Sequence, residues 1–486
     1  MLLVAPDLDL FRKPSTDLRQ NSQDQKAYLT DFIVKSSTSI MRNAQPLKRA
    51  IVIGGSIAGL LSAKVLSSCF EEVVIIERDM VAESPTERVG VPQSPQPHIL
   101  LTQGYRLLND FVPSLKKDLL AAGAVPIDWG RDFQTFVFGN WCATTNESTG
   151  LESFSCTRPL LEAVIRQHVE QISNIRRLSP FRVEALVGDR SKVTGIRCRR
   201  SKSKTDERTI DADLVVDASG RSTNALSWLE AIGAAVPERE VVDAQLGYAT
   251  QRYRIPDSWA EQWKVLLITH QPPQLTKLGY LARVENNELI ATLGGYCQQH
   301  PPLEQDEFLA FAQQLPSSRF YEIISHLSPV STVKAYRATA NRLYHYERLE
   351  TIPNGFIAIG DSVCALCPAY GQGLTTSAMS ALTLRDWLLS NKSKPQVGSS
   401  LRFQQKLAKR IQSNWRAATS NDAGFLQTSV SAKKSLVARL LGGYMRRFME
   451  KIHTDSELTL AVTRVTHQVD SPVKLLHPRL LWKAFS

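Results

Sequence analysis

No stretch of this 486-residue chain holds 18 consecutive apolar residues, which argues against a membrane-spanning helix. Cysteine is scarce and odd in number: seven residues, scattered except for Cys364 and Cys367. That speaks against a disulfide framework and suits a reducing, cytoplasmic setting. The chain has no internal repeat, no long low-complexity block, and no second C-x-x-C to complete a zinc site, so no metal is expected. Its N-terminus offers five apolar residues before Asp7 and Asp9, too little for a secretory signal. No catalytic triad or acid pair is evident.

Hydrophobic residues at 43% and charged residues at 22% describe a soluble globular protein, long enough for a large core or two. The net charge of +11 is unevenly placed. Residues 401–486 carry 15 Lys and Arg against 5 Asp and Glu, so the body is nearly neutral and no nucleic-acid partner is expected.

Residues 1–47 are polar without a clear period and read as a flexible arm. The texture changes at "RAIVIGGSIAGLLSAKVLSSCFEEVVIIERD". Ala50–Ile53 is a short strand, Gly54-Gly55-Ser56 a turn, Ile57–Leu66 a helix and Val73–Ile76 a second strand. This is the layout of a dinucleotide-binding βαβ unit. Gly54 permits the sharp turn, and Gly59 lets the helix approach the strand; Ser56 stands where glycine is usual, and its hydroxyl can donate to a phosphate. Glu77, 18 residues after Gly59, is placed to accept from a ribose diol. Asp217 with Gly220, and Asp361, end two further buried strands, and strand C-termini converge on the ligand in a doubly wound sheet. Between them, "GYLARVENNELIATLGGY" reads as a hairpin turning at Asn286-Asn287, part of an inserted sheet. Trp259 and Trp263, four apart, read as a helix face.

The stretches "GGSIAGL", "RVGVPQSPQPHILLTQG", "TRPLLEAVIR", "ADLVVDASGRS", "GYATQRYR", "NRLYHYERL" and "GDSVCALCPAYGQGLTTSAMSAL" follow one another over residues 49–382. In this order they resemble the FAD-dependent monooxygenases of the aromatic-hydroxylase superfamily, nearest to bacterial polyether flavin epoxidases and more distantly to squalene epoxidase. The resemblance implies an α/β fold: a Rossmann-like FAD-binding domain over 48–240 and 346–400, an inserted mixed or antiparallel sheet over 241–345 for substrate, and a basic helical region over 401–486. It implies that Glu77 with Arg78 holds the ribose, that Arg88 and Arg158 lie near the flavin, and that Val183 passes the adenine. Asp361 would bond the ribityl chain, while Pro368, Tyr370, Gly371, Gln372 and Gly373 would lie beside the isoalloxazine. There the glycines free peptide N–H groups, and the helix after Gly373 turns its positive end toward the flavin. The cysteines at 364 and 367 then have no evident redox task.

The implied reaction inserts one oxygen atom from O2 into an apolar unsaturated or aromatic substrate through a flavin hydroperoxide, with NAD(P)H or a partner reductase supplying electrons. Two other readings use the same motifs: an FAD-dependent reductase of an isoprenoid-like substrate, and a non-catalytic binding protein on the same scaffold. A halogenase is disfavoured, because W-x-W-x-I-P and a lysine soon after Glu77 are missing. His98 faces either the flavin or the core, and Tyr344, His345 and Tyr346 line a substrate cavity or pack. In the tail, Leu436, Leu440, Tyr444, Phe448 and Ile452 share one helical face, with Arg439, Arg446, Arg447 and Lys451 elsewhere around it. That face either meets an anionic membrane surface or docks on the core.

Overall fold

The computed structural model describes residues 47–390, 399–426 and 436–486, with side chains from residue 441 in the last stretch. The N-terminal arm thus lies, but for Leu47, outside the described residues, as do the side chains of Leu436, Arg439 and Leu440.

Five parallel strands form the first sheet, in the order Phe356–Ala358, Leu214–Asp217, Leu47–Ile53, Phe70–Ile76 and Ile175–Leu178. Helix Ile57–Leu66 packs on its central strands and touches the helices Arg158–Glu170 and Gly373–Ser390. An antiparallel meander, Phe181–Gly188, Val193–Arg200 and Glu207–Asp211, also packs against the sheet. The C-terminal halves of the parallel sheet's central strands, Ala50–Ile53 and Val73–Ile76, and the whole of Leu214–Asp217 are buried, which is why they read as short unbroken apolar runs. Register does the positioning. Ile53 pairs with both Ile76 and Asp217, and Asp217 with Ala358, so the turns after four strands emerge at one edge.

The second sheet has eight strands and is mixed. Gly247–Arg254, Glu288–Gly295, Lys277–Val284 and Val265–Ile268 run antiparallel in that order, and Phe133–Val137 adds on in parallel. The sheet therefore takes Phe133–Trp141 from far upstream of its other strands. The hairpin turns at Asn286-Asn287, whose φ values of 61° and 55° suit asparagine in the left-handed region. The chain is thus an α/β protein: a Rossmann-like parallel-sheet body, an inserted mixed sheet and a helical C-terminal region.

One local expectation fails. Trp259 and Trp263 lie on no helix; the segment from Pro256 to Lys264 is a turn and irregular chain joining two strands. Pro256 is compatible with a first helical turn, but the span must reverse direction between strands within ten residues. The indoles meet edge to face at 5.6 Å in the second sheet's core.

Tyr444, Phe448 and Ile452 are buried in a cluster with Val137, Leu458 and Leu475, so this part of the tail's apolar face is docked on the protein. Gly442 and Gly443 do not interrupt the helix Leu436–Lys451. Trp482 and Phe485, 70% and 57% exposed, are apolar side chains that remain outside. No helix among the described residues is long and apolar enough to cross a membrane.

The docking carries a pH signature. His467, 2% exposed, accepts from the Thr102 backbone N–H at Nδ1 (3.2 Å), and burial pulls its pKa down to about 3. The unfolded chain takes up that proton near pH 6.5. The stability due to neutral His467 is therefore complete above about pH 6.5 and is lost as pH falls from there toward 3. At pH 5 the loss is about 2 kcal/mol. His467→Gln is expected to flatten the acid limb of a Tm-against-pH profile by that amount; an unchanged limb contradicts the assignment.

Candidate cofactor groove and adjoining apolar cavity

At the edge where the parallel strands end, Gly54, Gly55, Ser56, Glu77, Arg78, Arg88 and Val183 line one groove, with Ala218 and Ser219 opposite. Gly54 has φ +103°, and a Cβ there would sit 2.5 Å from the Ala218 carbonyl oxygen. A Cβ on Gly59 would sit 1.8 Å from the Gly54 carbonyl oxygen, so the helix reaches the turn only because residue 59 has no side chain.

Glu77 is 5% exposed and fixes this turn: Oε2 accepts from the Gly55 N–H (2.9 Å) and Oε1 from the Asp79 N–H (2.9 Å). Arg88 Nη1 pairs with Glu77 at 2.9 Å, and Arg88 Nη2 with Glu162. Arg158 Nη2 donates to Ser56 Oγ (2.7 Å) and pairs with Glu162 (3.2 Å); Arg166 completes the set at 3.5 Å. Ser56 Oγ also donates to Glu162 Oε2 at 2.8 Å. Glu162 is thus the shared anion of three guanidiniums, all buried.

Asp217 turns away from the groove. It is fully buried and accepts from Ser219 N–H (3.0 Å), Ser219 Oγ (2.6 Å) and Thr223 Oγ1 (2.5 Å), so it shapes the loop in place of meeting a ligand. A carboxylate at a strand end is the nearest acceptor for the free N–H groups of the turn that follows. Gly220, at φ +79°, donates its N–H to Ser362 Oγ and ties this loop to the next. Asp361 lies 3.9 Å from Arg221 with its side chain 30% exposed; burial raises its pKa against the pull of Arg221, Arg342 and Arg158. His98 is half-buried with Nδ1 2.9 Å from the Gln96 carbonyl, and burial, reinforced by Arg158, pulls it down to about 3.

Pro368–Tyr370 form one helical turn, Gly371 (φ 63°) reverses the chain, and Gly373 begins a long helix whose first peptides face this region. A second cavity, of about 50 Å3, ends on Pro368 and Ala369. Tyr248, Leu267, Leu278, Tyr280 and Thr292 of the second sheet, with Thr269, His270 and residues 96, 97 and 99, form the rest of its wall. The lining holds no Asp, Glu, Lys or Arg. Behind it, Tyr370 OH donates to Asp422 Oδ1, and Asn341 Nδ2 donates to Asp422 Oδ2 at 2.5 Å. Burial lifts the Asp422 pKa to about 6.

Tyr344, His345 and Tyr346 do not border this cavity. Tyr346 is fully buried, and His345 lies between Glu240 and Glu347 at 2.9 and 2.8 Å. Cys364 and Cys367 are 1% exposed, and burial pushes both thiols up, opposite to the shift a reactive thiolate needs. Glu162, Asp422 and Ile99 were not singled out in the sequence. Of these only Glu162 had a readable signal, four residues from an arginine on either side.

The site fits a flavin dinucleotide. The N–H groups of Gly54 and Gly55 are taken by the Ile76 carbonyl and Glu77, which leaves Ser56 N–H open at the helix start; Glu77 borders the groove, and two buried atoms, Arg158 Nη1 and Gln372 Oε1, have no hydrogen-bond partner.

No family model matches the chain. Protein Rv3254 of Mycobacterium tuberculosis (strain ATCC 25618 / H37Rv) is 32% identical over 394 residues, 79% of this chain and 82% of that protein. Among solved structures, a flavoprotein/dehydrogenase from Cytophaga hutchinsonii superposes with a TM-score of 0.62 at 11% identity, over 90% of this chain and 96% of that one. PqsL of Pseudomonas aeruginosa, a probable FAD-dependent monooxygenase, gives 0.55 at 14%, over 86% and 99%. The flavin-dependent brominase Bmp2 gives 0.58 at 13%, over 82% and 94%. The chain therefore belongs to the family of Protein Rv3254, and its fold is the one found in FAD-dependent monooxygenases and halogenases.

Proposed function

We propose that the protein is an FAD-dependent monooxygenase that places one oxygen atom from O2 on an uncharged, apolar unsaturated or aromatic substrate, by epoxidation or hydroxylation. One observation carries the reading: a cavity without charged side chains ends on Pro368 and Ala369, and the loop that walls the polar groove at Ser219 and Ser222 is tied to the chain leading into that segment. Gly220 N–H donates to Ser362 Oγ, and Arg221 to the Leu366 carbonyl. Bound FAD supplies the redox chemistry, taking electrons from NAD(P)H or a reductase and activating O2.

The chain's own residues bind, orient and exclude. Glu77 and the peptides of Gly54–Ser56 hold the nucleotide end, with Arg78 and Arg88 supplying positive charge, Val183 a groove wall, and Arg158 reaching the turn through Ser56 Oγ. Asp361 and the peptides of Gly371–Gly373, with Gln372, hold the redox end, where a helix N-terminus favours negative charge. Leu267, Leu278 and Tyr280 keep water from the substrate side. His270, pulled well down by burial, stays neutral at the wall, and Asp422, lifted to about 6, takes up a proton only below neutrality and otherwise accepts from Tyr370 OH. The sequence stretches that resemble the polyether epoxidases favour an alkene over a ring. Halogenation receives no support from the residues after Glu77, where no lysine follows within the next dozen positions.

The direct test is to titrate the full-length protein with FAD and then reduce the complex. One FAD per chain, and O2 uptake that follows NAD(P)H or reductase-supplied electrons, support the proposal. Absence of FAD binding overturns it in favour of the non-catalytic scaffold.

A further inference from the structure

The helix Ser399–Ala423 ends where the second sheet meets the segment Pro368–Gly373. Phe425, just beyond it, stacks on Tyr296 at 4.1 Å, and a Cβ on Gly424 would lie 2.8 Å from the Pro272 Cβ, so this end is wedged in place. Asp422, in the last turn, is buried there.

Its carboxylate holds the redox-end turn at two places. Oδ1 accepts from Tyr370 OH, and Oδ2 from Asn341 Nδ2 at 2.5 Å. Asn341 Oδ1 in turn accepts from the Cys367 N–H at 2.7 Å. The two residues held in this way, Cys367 and Tyr370, flank Pro368 and Ala369, on which the uncharged cavity ends. Tyr296 closes a ring of hydrogen bonds: its hydroxyl lies 3.4 Å from that of Tyr370 and bonds the Cys367 thiol. All five side chains of the ring are at most 1% exposed.

This is a poor place for a permanent negative charge. Among the described residues the carboxylate has two neutral donors and no cation to offset its burial, and the last turn of a helix disfavours an anion. Burial lifts its pKa to about 6, and Asp243 adds to the lift against the pull of the two donors. The other titratable groups around the ring keep their protonation states through that range. Burial pushes Tyr248, Tyr296, Tyr370 and Cys367 well up. It keeps His270, whose ring meets those of Tyr296 and Tyr370, neutral.

We infer that Asp422 is a positioning residue of the redox-end turn, acting through Tyr370 and Asn341, and that its protonation resets the turn. A proton taken from solvent onto Oδ1 reverses one hydrogen bond. Asp422 then donates to the Tyr370 oxygen, the Tyr370 hydrogen turns to Tyr296, and Asn341 keeps Oδ2. The hold on Pro368 and Ala369 therefore differs between the two states. The inference rests on the reading of Pro368–Gly373 as the redox end of an FAD site.

The test titrates the FAD-loaded full-length protein between about pH 5 and 8 and records the visible spectrum of the bound FAD, with free FAD as reference. Infrared difference spectra over the same range read the carboxylic-acid carbonyl of Asp422, whether or not FAD is bound. Both signals are expected to follow one proton with a midpoint at about pH 6. Asp422→Asn, neutral at every pH, is expected to abolish both and to keep the low-pH FAD spectrum throughout. Tyr370→Phe removes a donor to the carboxylate and is expected to raise the midpoint by about one pH unit; it decides the matter if the first variant does not fold. A bound-FAD spectrum that ignores pH, a response that survives in Asp422→Asn, or an unmoved midpoint in Tyr370→Phe overturns the inference while leaving the cofactor reading intact. An infrared titration in a protein that binds no FAD strikes the cofactor reading, and the inference with it.

Discussion

Replacing Glu162 by glutamine is expected to cost about 3–5 kcal/mol of folding stability, the range seen when one partner of a buried ion pair is removed. The substitution is nearly isosteric, so packing is retained and the change is one of charge. Glu162 is 4% exposed and is the anion shared by Arg88, Arg158 and Arg166. Arg88 keeps Glu77, but Arg158 and Arg166 have no second carboxylate partner of comparable closeness among the described residues. Urea unfolding of the two proteins measures the difference. Glu170→Gln is the internal control: its partner Arg177 is partly exposed, so the expected cost is below about 1 kcal/mol. Equal effects of the two substitutions contradict the role given to Glu162.

Gly59→Ala is the second large effect, and it separates binding from folding. The new methyl group would lie 1.8 Å from the Gly54 carbonyl oxygen and 2.9 Å from its carbon. Both are backbone atoms of the turn that borders the groove, so the turn must move. FAD affinity is expected to fall at least about 100-fold, about 2.7 kcal/mol, with helical circular dichroism largely kept. Gly442→Ala provides the contrast. Its Cβ would meet nothing within 4 Å, and it lies inside the helix Leu436–Lys451. Helix propensity then favours alanine by about 0.5–1 kcal/mol. FAD titration with a parallel unfolding curve checks both variants. Unchanged FAD affinity in Gly59→Ala removes the glycine turn from the binding site.

What could be read from the sequence was local. The strand, turn and helix from Ala50 to Leu66 and the hairpin at Asn286-Asn287 are encoded by residues within a few positions of one another, and they stand in the structure. Glu162 is an intermediate case. Its spacing from Arg158 and Arg166 is visible, but Arg88 joins from 74 residues away, and that pairing exists only once the helix has docked. The attachment of Phe133–Val137 to the second sheet depends on a parallel pairing with Val265–Ile268, across more than 120 residues, and no local pattern announces it. Asp217 shows the reverse error: its position at a strand end was read correctly, yet the next turn supplied three donors before any ligand could. The tryptophans four apart matched a helical period in a span too short and too bent to be a helix.

The central claim is that electrons delivered to this site end on O2, with one oxygen atom kept in an apolar product. It is tested most directly by reducing the FAD-loaded protein with dithionite under argon and admitting isotopically labelled O2 in the presence of an organic extract of the producing cells. The account expects labelled oxygen in an uncharged product, and no product under argon. Recovery of all the label as peroxide and water, with a substrate gaining two hydrogens under argon, would contradict it and make the protein a reductase.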